Sequence, residues 1–177
     1  MTSSTNSDRP IPNSYWVVPG KFAAGEYPVA PSYSGAREKL NELLAAGISR
    51  FIDLTEEGEL TSYRELARAE AAKLSRSFEW ERHPIVDRST PHRTRMVEIL
   101  DSIDSAMERG ETVYVHCWGG VGRTGTVVGC WLQRRGYTGE EALAQIATWW
   151  QGVAKRHRRP RSPENSAQRE YIMEWNE

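Results

Sequence analysis

The chain has 177 residues, of which 38% are hydrophobic and 27% are charged, and its formal net charge at pH 7 is -1. This size and composition predict one globular domain with a sizeable core. The near-neutral charge gives no general signal for nucleic-acid binding, and no stretch has the length of an apolar membrane span. Residues 1–8 lack the apolar segment of a signal peptide, so we expect a cytoplasmic protein.

The first half of the chain changes from a polar tail to short apolar segments. Residues 1–13, which are rich in Ser, Asn and Pro, are predicted to be a disordered tail, and residues 14–177 to form a single domain. The hydrophobic spacing predicts strands over 15–18 and 22–24, a helix over 32–46, a strand over 48–54, a helix over 60–74 and a strand over 78–85.

The second half continues this alternation. It predicts a helix opened by Pro91 and closed by Gly110, a buried strand over 112–116, a helix over 123–135, a capped helix that begins after Thr138, and a last helix from Ser162. The run 155–161 is predicted to be a loop. Strands that alternate with helices indicate an α/β domain with a central, mostly parallel sheet flanked by helices.

Residues 116–125 carry the most specific pattern, His-Cys-Trp-Gly-Gly-Val-Gly-Arg-Thr-Gly, between a predicted strand and a predicted helix. Glycine allows backbone amides to approach a ligand closely, and a helix N-terminus favours negative charge. We expect a tetrahedral anion to bind the amides of Trp118, Gly119, Gly120, Val121 and Gly122 and the guanidinium of Arg123. The same field stabilises a thiolate at Cys117, whereas the alternative is a structural turn with an inert cysteine.

A cysteine followed by five residues, arginine and threonine resembles the signature loop of protein tyrosine and dual-specificity phosphatases. Residues 19–28, the Phe-Ile-Asp-Leu-Thr strand and the Ser-Pro-Glu helix start resemble compact dual-specificity phosphatases of the kinase-associated type, over about residues 15–175. The resemblance implies a phosphocysteine intermediate on Cys117, a phosphate clamp at Arg123, and no metal or cofactor.

The resemblance also implies roles for two further residues. Asp87, thirty residues before Cys117, matches the position of the general acid; alternatively it only caps or solvates its loop. Thr124 would place its hydroxyl near the sulfur, cap the helix, or both. Asp53 lies inside an apolar strand and is given a structural role.

Four residues are assigned supporting roles. His116 would orient the loop through hydrogen bonds, and Glu26 would pair with Arg123. Gln168 would reach the attacking water or the loop, or belong to a polar helix face. Trp118 would either form a wall for a flat aromatic substrate or pack on the protein. Cys130 is interpreted as a core residue rather than a redox partner.

The expected function is hydrolysis of phosphotyrosine, and of phosphoserine and phosphothreonine, in a phosphoprotein substrate by a monomeric enzyme. A phosphoinositide or inositol polyphosphate phosphatase is the alternative, against which the loop interior counts because it has no lysine or second arginine. An inactive phosphate-binding module is the third possibility. The basic run 155–161 would recruit an acidic or multiply phosphorylated substrate or a lipid headgroup, or it is simply a solvated loop.

Overall fold

The computed structural model describes residues 9–29 and 33–177. In this part of the chain, one sheet contains five strands: β1 (Ser14–Val18), β2 (Phe22–Gly25), β3 (Arg50–Asp53), β4 (Glu79–Arg82) and β5 (Val113–His116). Their order is β1-β2-β5-β3-β4. Only β1 runs antiparallel to its neighbour, so the predicted mostly parallel sheet is confirmed.

Helices cover both faces of the sheet. They are α1 (Tyr33–Ala45), α2 (Arg64–Lys73), α3 (Arg93–Glu108), α4 (Gly122–Arg134), α5 (Gly139–Trp150) and α6 (Ser166–Glu174), with a short 3-10 helix at Ala154–His157. None of the helices in the described residues is long and apolar enough to span a bilayer.

Strand β5 lies at the centre of the sheet and separates two apolar layers. Val113 and Val115 face the layer built with α3 to α6, and Tyr114 faces the layer built with α1 and α2. This alternation follows from the two-residue repeat of a strand. Both layers bury the inner helix faces, so the β-branched and aromatic sequence of β5 suits its position.

The parallel strands end in register at one edge of the sheet. His116, the last residue of β5, pairs with Gly25 of β2 on one side and with Asp53 of β3 on the other, and Asp53 pairs with Arg82 of β4. Loops that follow parallel strands therefore leave the sheet side by side, which is where ligands bind in open α/β folds.

The predicted tail and the last helix require corrections. Residues 1–8 of the predicted tail lie outside the described residues, but Pro10 and Ile11 are buried, and Ile11 packs in the layer of α1 and α2. The packed region thus begins before residue 14. The last helix begins at Ser166 rather than Ser162, because the side chain of Asn165 caps it by accepting the amide of Gln168 at 3.0 Å.

The basic run is not purely a loop, because its first three residues, 155–157, belong to the 3-10 helix. Cys130 is a core residue, as predicted: it lies fully buried in the layer of α3 to α6, and burial raises the pKa of its thiol well above the ordinary value. Both cysteines are free.

Candidate active site

A pocket of about 380 Å³ opens at the edge where the parallel strands end. Six of the seven residues from Cys117 to Arg123 line it, so the pocket sits on the loop between β5 and α4. Five charged residues from other segments complete the lining: Asp87, Arg88, Lys155, Arg159 and Glu164. Sequence positions more than seventy residues apart therefore meet around one small volume.

Cys117 follows the last residue of β5, lines the pocket and is almost completely buried. Thr124, in the first turn of α4, donates its hydroxyl to the Cys117 Sγ at 3.1 Å. The N-cap position of α4 is Val121, and no side chain caps the helix there. The geometry thus favours the sulfur-contacting interpretation of Thr124 over helix capping.

The loop after Cys117 is held in shape by contacts to its carbonyl groups. The Trp118 carbonyl accepts from the Tyr27 amide at 2.9 Å, the Gly119 carbonyl from Lys155 Nζ at 2.7 Å, and the Val121 carbonyl from the Ser162 hydroxyl at 2.6 Å. Within the described residues, the amides of residues 118–121 donate to no protein acceptor. They are therefore available to an anion.

Gly120 shows why the loop requires glycine. Its φ is 70°, in the region that other residues adopt at a cost, and a Cβ there would overlap the backbone of Gly25 and Glu26. The close approach locks the loop against the end of β2.

Arg123 is buried beside the pocket, and its guanidinium is shared among three groups. Nη1 donates to Glu59 at 2.8 Å and to the Ile85 carbonyl at 3.1 Å, while Nη2 donates to Glu59 at 2.7 Å and lies 3.0 Å from Asp87 Oδ1. Burial would lower the pKa of Arg123, but the hydrogen bonds with Glu59 outweigh it and raise the pKa, so the charge persists. No hydrogen bond from the described residues occupies Nε. A bidentate contact of phosphate with the Nε–Nη2 edge therefore becomes possible once Asp87 leaves Nη2.

The predicted pairing of Glu26 with Arg123 is wrong. Glu26 instead binds Lys39 and Lys155, each at 2.7 Å. Burial would raise the pKa of Glu26, but hydrogen bonds from Lys155 and Lys39 lower it below the ordinary value. The reason is strand order: Glu26 follows β2, whereas Arg123 reaches toward loops after β3 and β4, on the other side of β5.

The two candidate aspartates lie in different environments. Asp87 is 52% exposed, lines the pocket and contacts Arg123. Asp53 is buried, accepts from the Thr55 amide at 2.9 Å and hydroxyl at 2.6 Å, and lies 3.4 Å from Arg82. Asp53 is thus a structural residue, as expected, and Asp87 is the carboxylate available to a ligand.

His116 supports the start of the loop. Its Nε2 lies 2.6 Å from the Tyr63 hydroxyl, and its Nδ1 lies 3.2 Å from the Cys117 carbonyl. A carbonyl only accepts, so we assign the proton to Nδ1, and Nε2 accepts from Tyr63. Burial lowers the pKa of His116, which favours this neutral form.

Gln168 and Glu164 lie against the first residue of α4. A methyl group placed on Gly122 would come within 2.7 Å of the Gln168 amide nitrogen and 2.5 Å of a Glu164 carboxylate oxygen. Gln168 is buried, donates to the Ser89 carbonyl at 3.4 Å, and its Oε1 has no hydrogen-bond partner among the described residues. Gln168 therefore reaches the loop, one of its two predicted placements.

Trp118 is 59% exposed and lines the pocket. This placement favours the wall interpretation over packing on the protein.

No sequence pattern marks Glu59, Lys155, Arg88, Arg159 or Glu164 individually as a residue of this site. Glu59 stands close to Glu56 and Glu57, and nothing in that acidic run distinguishes it. The basic run was recognised, but not its return to the pocket. In the part of the chain that the structure describes, no three His, Cys, Asp or Glu side chains are grouped to hold a metal ion.

Comparison with known families identifies this arrangement. The family described as "Swiss Army Knife protein, DSP-PTPase phosphatase domain" matches residues 11–172. A viral protein named "Putative tyrosine phosphatase 067L", from Invertebrate iridescent virus 3, is 35% identical over 101 residues, which are 54% of this chain and 38% of the viral protein. The match thus spans well under half of the viral relative.

Solved structures share the fold over most of the chain. Tk-PTP, in a glycine-to-alanine mutant form, is 30% identical with a TM-score of 0.66, covering 92% of this chain and 93% of that one. Kinase associated phosphatase, with its catalytic cysteine changed to serine, is 20% identical with a TM-score of 0.68, covering 86% and 84%. PTPMT1 in complex with PI(5)P is 21% identical with a TM-score of 0.62, covering 88% and 89%.

The chain therefore carries a DSP-PTPase phosphatase domain and belongs to that family.

Proposed function

We propose that this member of the DSP-PTPase family hydrolyses phosphotyrosine, and also phosphoserine and phosphothreonine, in protein substrates through a phosphocysteine intermediate. One observation carries the proposal: Cys117, Arg123 and three loop residues with unbonded amides, Trp118, Gly119 and Val121, line one pocket. This combination supplies a nucleophile and an anion site at the same place.

In the first step, the substrate phosphate would occupy the amides of residues 118–121 and the Nε–Nη2 edge of Arg123. Asp87 would leave its contact with Nη2 as the phosphate arrives. The Cys117 thiolate attacks phosphorus, the P–S bond forms, and the P–O bond to the leaving group breaks. Asp87 donates its proton to that oxygen, because an alkoxide or phenolate leaves poorly without one.

In the second step, water attacks the phosphocysteine. The Asp87 carboxylate takes the proton of the water, the P–S bond breaks, and inorganic phosphate forms. The Thr124 hydroxyl, 3.1 Å from the sulfur, would stabilise the departing thiolate. Gln168, against Gly122, would help to orient the water.

The loop interior supports a single phosphate on a protein side chain. Residues 118–122 carry no charged side chain, so the pocket floor offers nothing to a second phosphate on the same small ring. The exposed indole of Trp118 provides an aromatic surface on which a tyrosine ring can pack.

A phosphoinositide or inositol polyphosphate is the second candidate substrate, favoured by the placement of the basic run. Lys155 and Arg159 line the pocket, as does Arg88 from another loop. The fold is also that of PTPMT1, whose structure holds PI(5)P. Lys155 is, however, already engaged by Glu26 and the Gly119 carbonyl.

The test compares phosphate release by wild type, Cys117→Ser and Cys130→Ser from a phosphotyrosine peptide, a phosphothreonine peptide and a soluble phosphoinositide. We expect Cys117→Ser to lose about a thousandfold or more in turnover, since an alcohol replaces the thiolate nucleophile. Cys130→Ser, buried away from the pocket, is the matched control and should retain turnover.

Two results would contradict the proposal. Equal, slow phosphate release by wild type and Cys117→Ser would show that Cys117 is not the nucleophile. A marked preference of wild type for the phosphoinositide would replace the protein substrate by the lipid. Acid quenching with a ³²P-labelled peptide tests the intermediate, because wild type, but not Cys117→Ser, should retain label on the protein.

A further inference from the structure

Two arginines at the pocket differ from its other cations. Arg88 and Arg159 are exposed, and both line the pocket. Within residues 9–29 and 33–177, neither guanidinium forms a hydrogen bond or an ion pair. By contrast, Arg123 is bound to Glu59, and Lys155 is bound to Glu26 and the Gly119 carbonyl.

The backbone of each free arginine is nevertheless fixed. The Arg88 carbonyl accepts from the Asn165 side chain at 2.9 Å, which ties its loop to the start of α6. The Arg159 carbonyl accepts from the indole nitrogen of buried Trp150 at 2.7 Å. Each side chain therefore projects from an anchored position while its charged group stays unpaired, an arrangement suited to a ligand anion.

We propose that Arg88 and Arg159 form a second anion-binding site, which recognises a phosphorylated or acidic residue beside the phosphorylated residue of a protein substrate. The inference rests on the proposed function and specifies its substrate class. Arginine clusters recognise phosphate and carboxylate groups in peptides, because the planar guanidinium donates two parallel hydrogen bonds.

The position of the charges favours a flanking residue over a second phosphate on an inositol ring. Neighbouring phosphates on one ring would enter the pocket together and would require cations at its floor. Loop residues 118–122 are instead uncharged, and two further residues of the lining, Asp87 and Glu164, are carboxylates. The unpaired cations are on exposed segments, where a residue adjacent in a peptide would lie.

The test measures binding to Cys117→Ser, which does not turn substrate over. The ligands are a phosphotyrosine peptide with neutral flanks, the same peptide with flanking glutamates, the same peptide with a second phosphorylated residue, and a soluble inositol bisphosphate. We expect the doubly phosphorylated peptide to bind about tenfold more tightly than the neutral one, from two exposed charge contacts. The advantage should fall as salt is raised.

Further variants test whether Arg88 and Arg159 cause the preference for the doubly phosphorylated peptide. Adding Arg88→Gln and Arg159→Gln to Cys117→Ser should bring the affinity ratio of the two peptides close to one. Arg158→Gln with Arg161→Gln removes the same charge from exposed positions that do not line the pocket, and should keep the tenfold ratio.

Three outcomes would overturn the inference: a ratio near one in Cys117→Ser itself, an equal loss in the charge-matched control, or tighter binding of the inositol bisphosphate. The proposed function is tested separately by phosphate release. It fails if the wild-type protein releases phosphate from none of the peptides. A tenfold ratio that disappears with Arg88 and Arg159 would establish the second site even then.

Discussion

Two loops that follow neighbouring parallel strands each bring one carboxylate to Arg123, and the structure holds them differently. The loop after β3 supplies Glu59, which is 17% exposed and binds both terminal nitrogens at 2.7 and 2.8 Å. The loop after β4 supplies Asp87, which is 52% exposed and contacts one nitrogen at 3.0 Å. Glu59 is thus placed to position the guanidinium, whereas Asp87 is free to leave it and meet a substrate.

The comparison shows how burial and contact number distinguish two similar acids. Burial would raise the pKa of Glu59, but hydrogen bonds from Arg123 lower it below the ordinary value, so Glu59 stays ionised while paired. Glu59 also lies outside the lining of the pocket, whereas Asp87 is part of it. The exposed carboxylate with the single contact is the better candidate for the proton transfer.

Replacing Arg123, which carboxylates from both loops contact, has the largest expected effect on turnover. Arg123→Lys removes the fork that binds Glu59 through one edge and that would bind phosphate through the other in the proposed mechanism, and a lysine ammonium reproduces neither bidentate contact. We expect kcat/KM for a phosphotyrosine peptide to fall by about a thousandfold. Steady-state kinetics measures this, with Arg158→Lys, an exposed arginine outside the pocket, as control.

A loss of less than tenfold in Arg123→Lys would show that the guanidinium geometry does not matter. Circular dichroism and thermal unfolding of the variant exclude loss of fold as the cause of a large effect.

Replacing Asp87, the exposed acid, should have the next largest effect on turnover. Asp87→Asn keeps the shape of the side chain but carries no transferable proton, so we expect kcat for a phosphothreonine peptide to fall by about a hundredfold. Aryl phosphates with a good leaving group need less protonation and should lose much less. The measurement is the fold-loss in kcat for the phosphothreonine peptide divided by the fold-loss in kcat for an aryl phosphate.

Asp101→Asn is the control for Asp87→Asn, because Asp101 is also exposed and also pairs with an arginine, Arg134, at 2.9 Å. Equal losses in Asp87→Asn for good and poor leaving groups would argue against a proton donor. The loss would then reflect only the contact with Arg123.

The sequence predicted Asp87 as a residue of the site but did not predict Glu59. Asp87 was found because it stands at a recognisable distance before Cys117, and β5 and α4 were found because an apolar strand, glycines and a helix follow in order. Glu59 was missed and Glu26 misassigned, because the partner of Arg123 depends on which strands flank β5. Hydrophobic spacing specifies where strands occur, but not their order in the sheet.

Local signals were reliable where one segment contains the whole interaction. Thr138 and Glu141 form the predicted capping box, with bonds of 3.2 and 2.8 Å. The burial of Ile11 was missed because its partners are distant in sequence: they belong to the layer formed with α1 and α2.

Replacing Glu59, the partly buried acid, should have the smallest effect on turnover and a distinct effect on stability. Glu59→Gln leaves an amide against Arg123, so the guanidinium is held less firmly, and we expect kcat/KM to fall by about tenfold. Glu57→Gln, in the same loop and exposed, should change nothing. An unchanged kcat/KM in Glu59→Gln would show that Arg123 keeps its position without this partner.

The pH dependence of unfolding tests the same pair independently of activity. The pKa of Glu59 is lower in the folded protein than its ordinary value of 4.5, so its pairing stabilises the fold above that pH. The stabilisation is lost as pH falls through the folded-state pKa. Urea unfolding should therefore show Glu59→Gln less stable than wild type near neutral pH, with the difference shrinking below about pH 4. A difference that stays constant across this range would mean that the ionised carboxylate is not what stabilises the contact with Arg123.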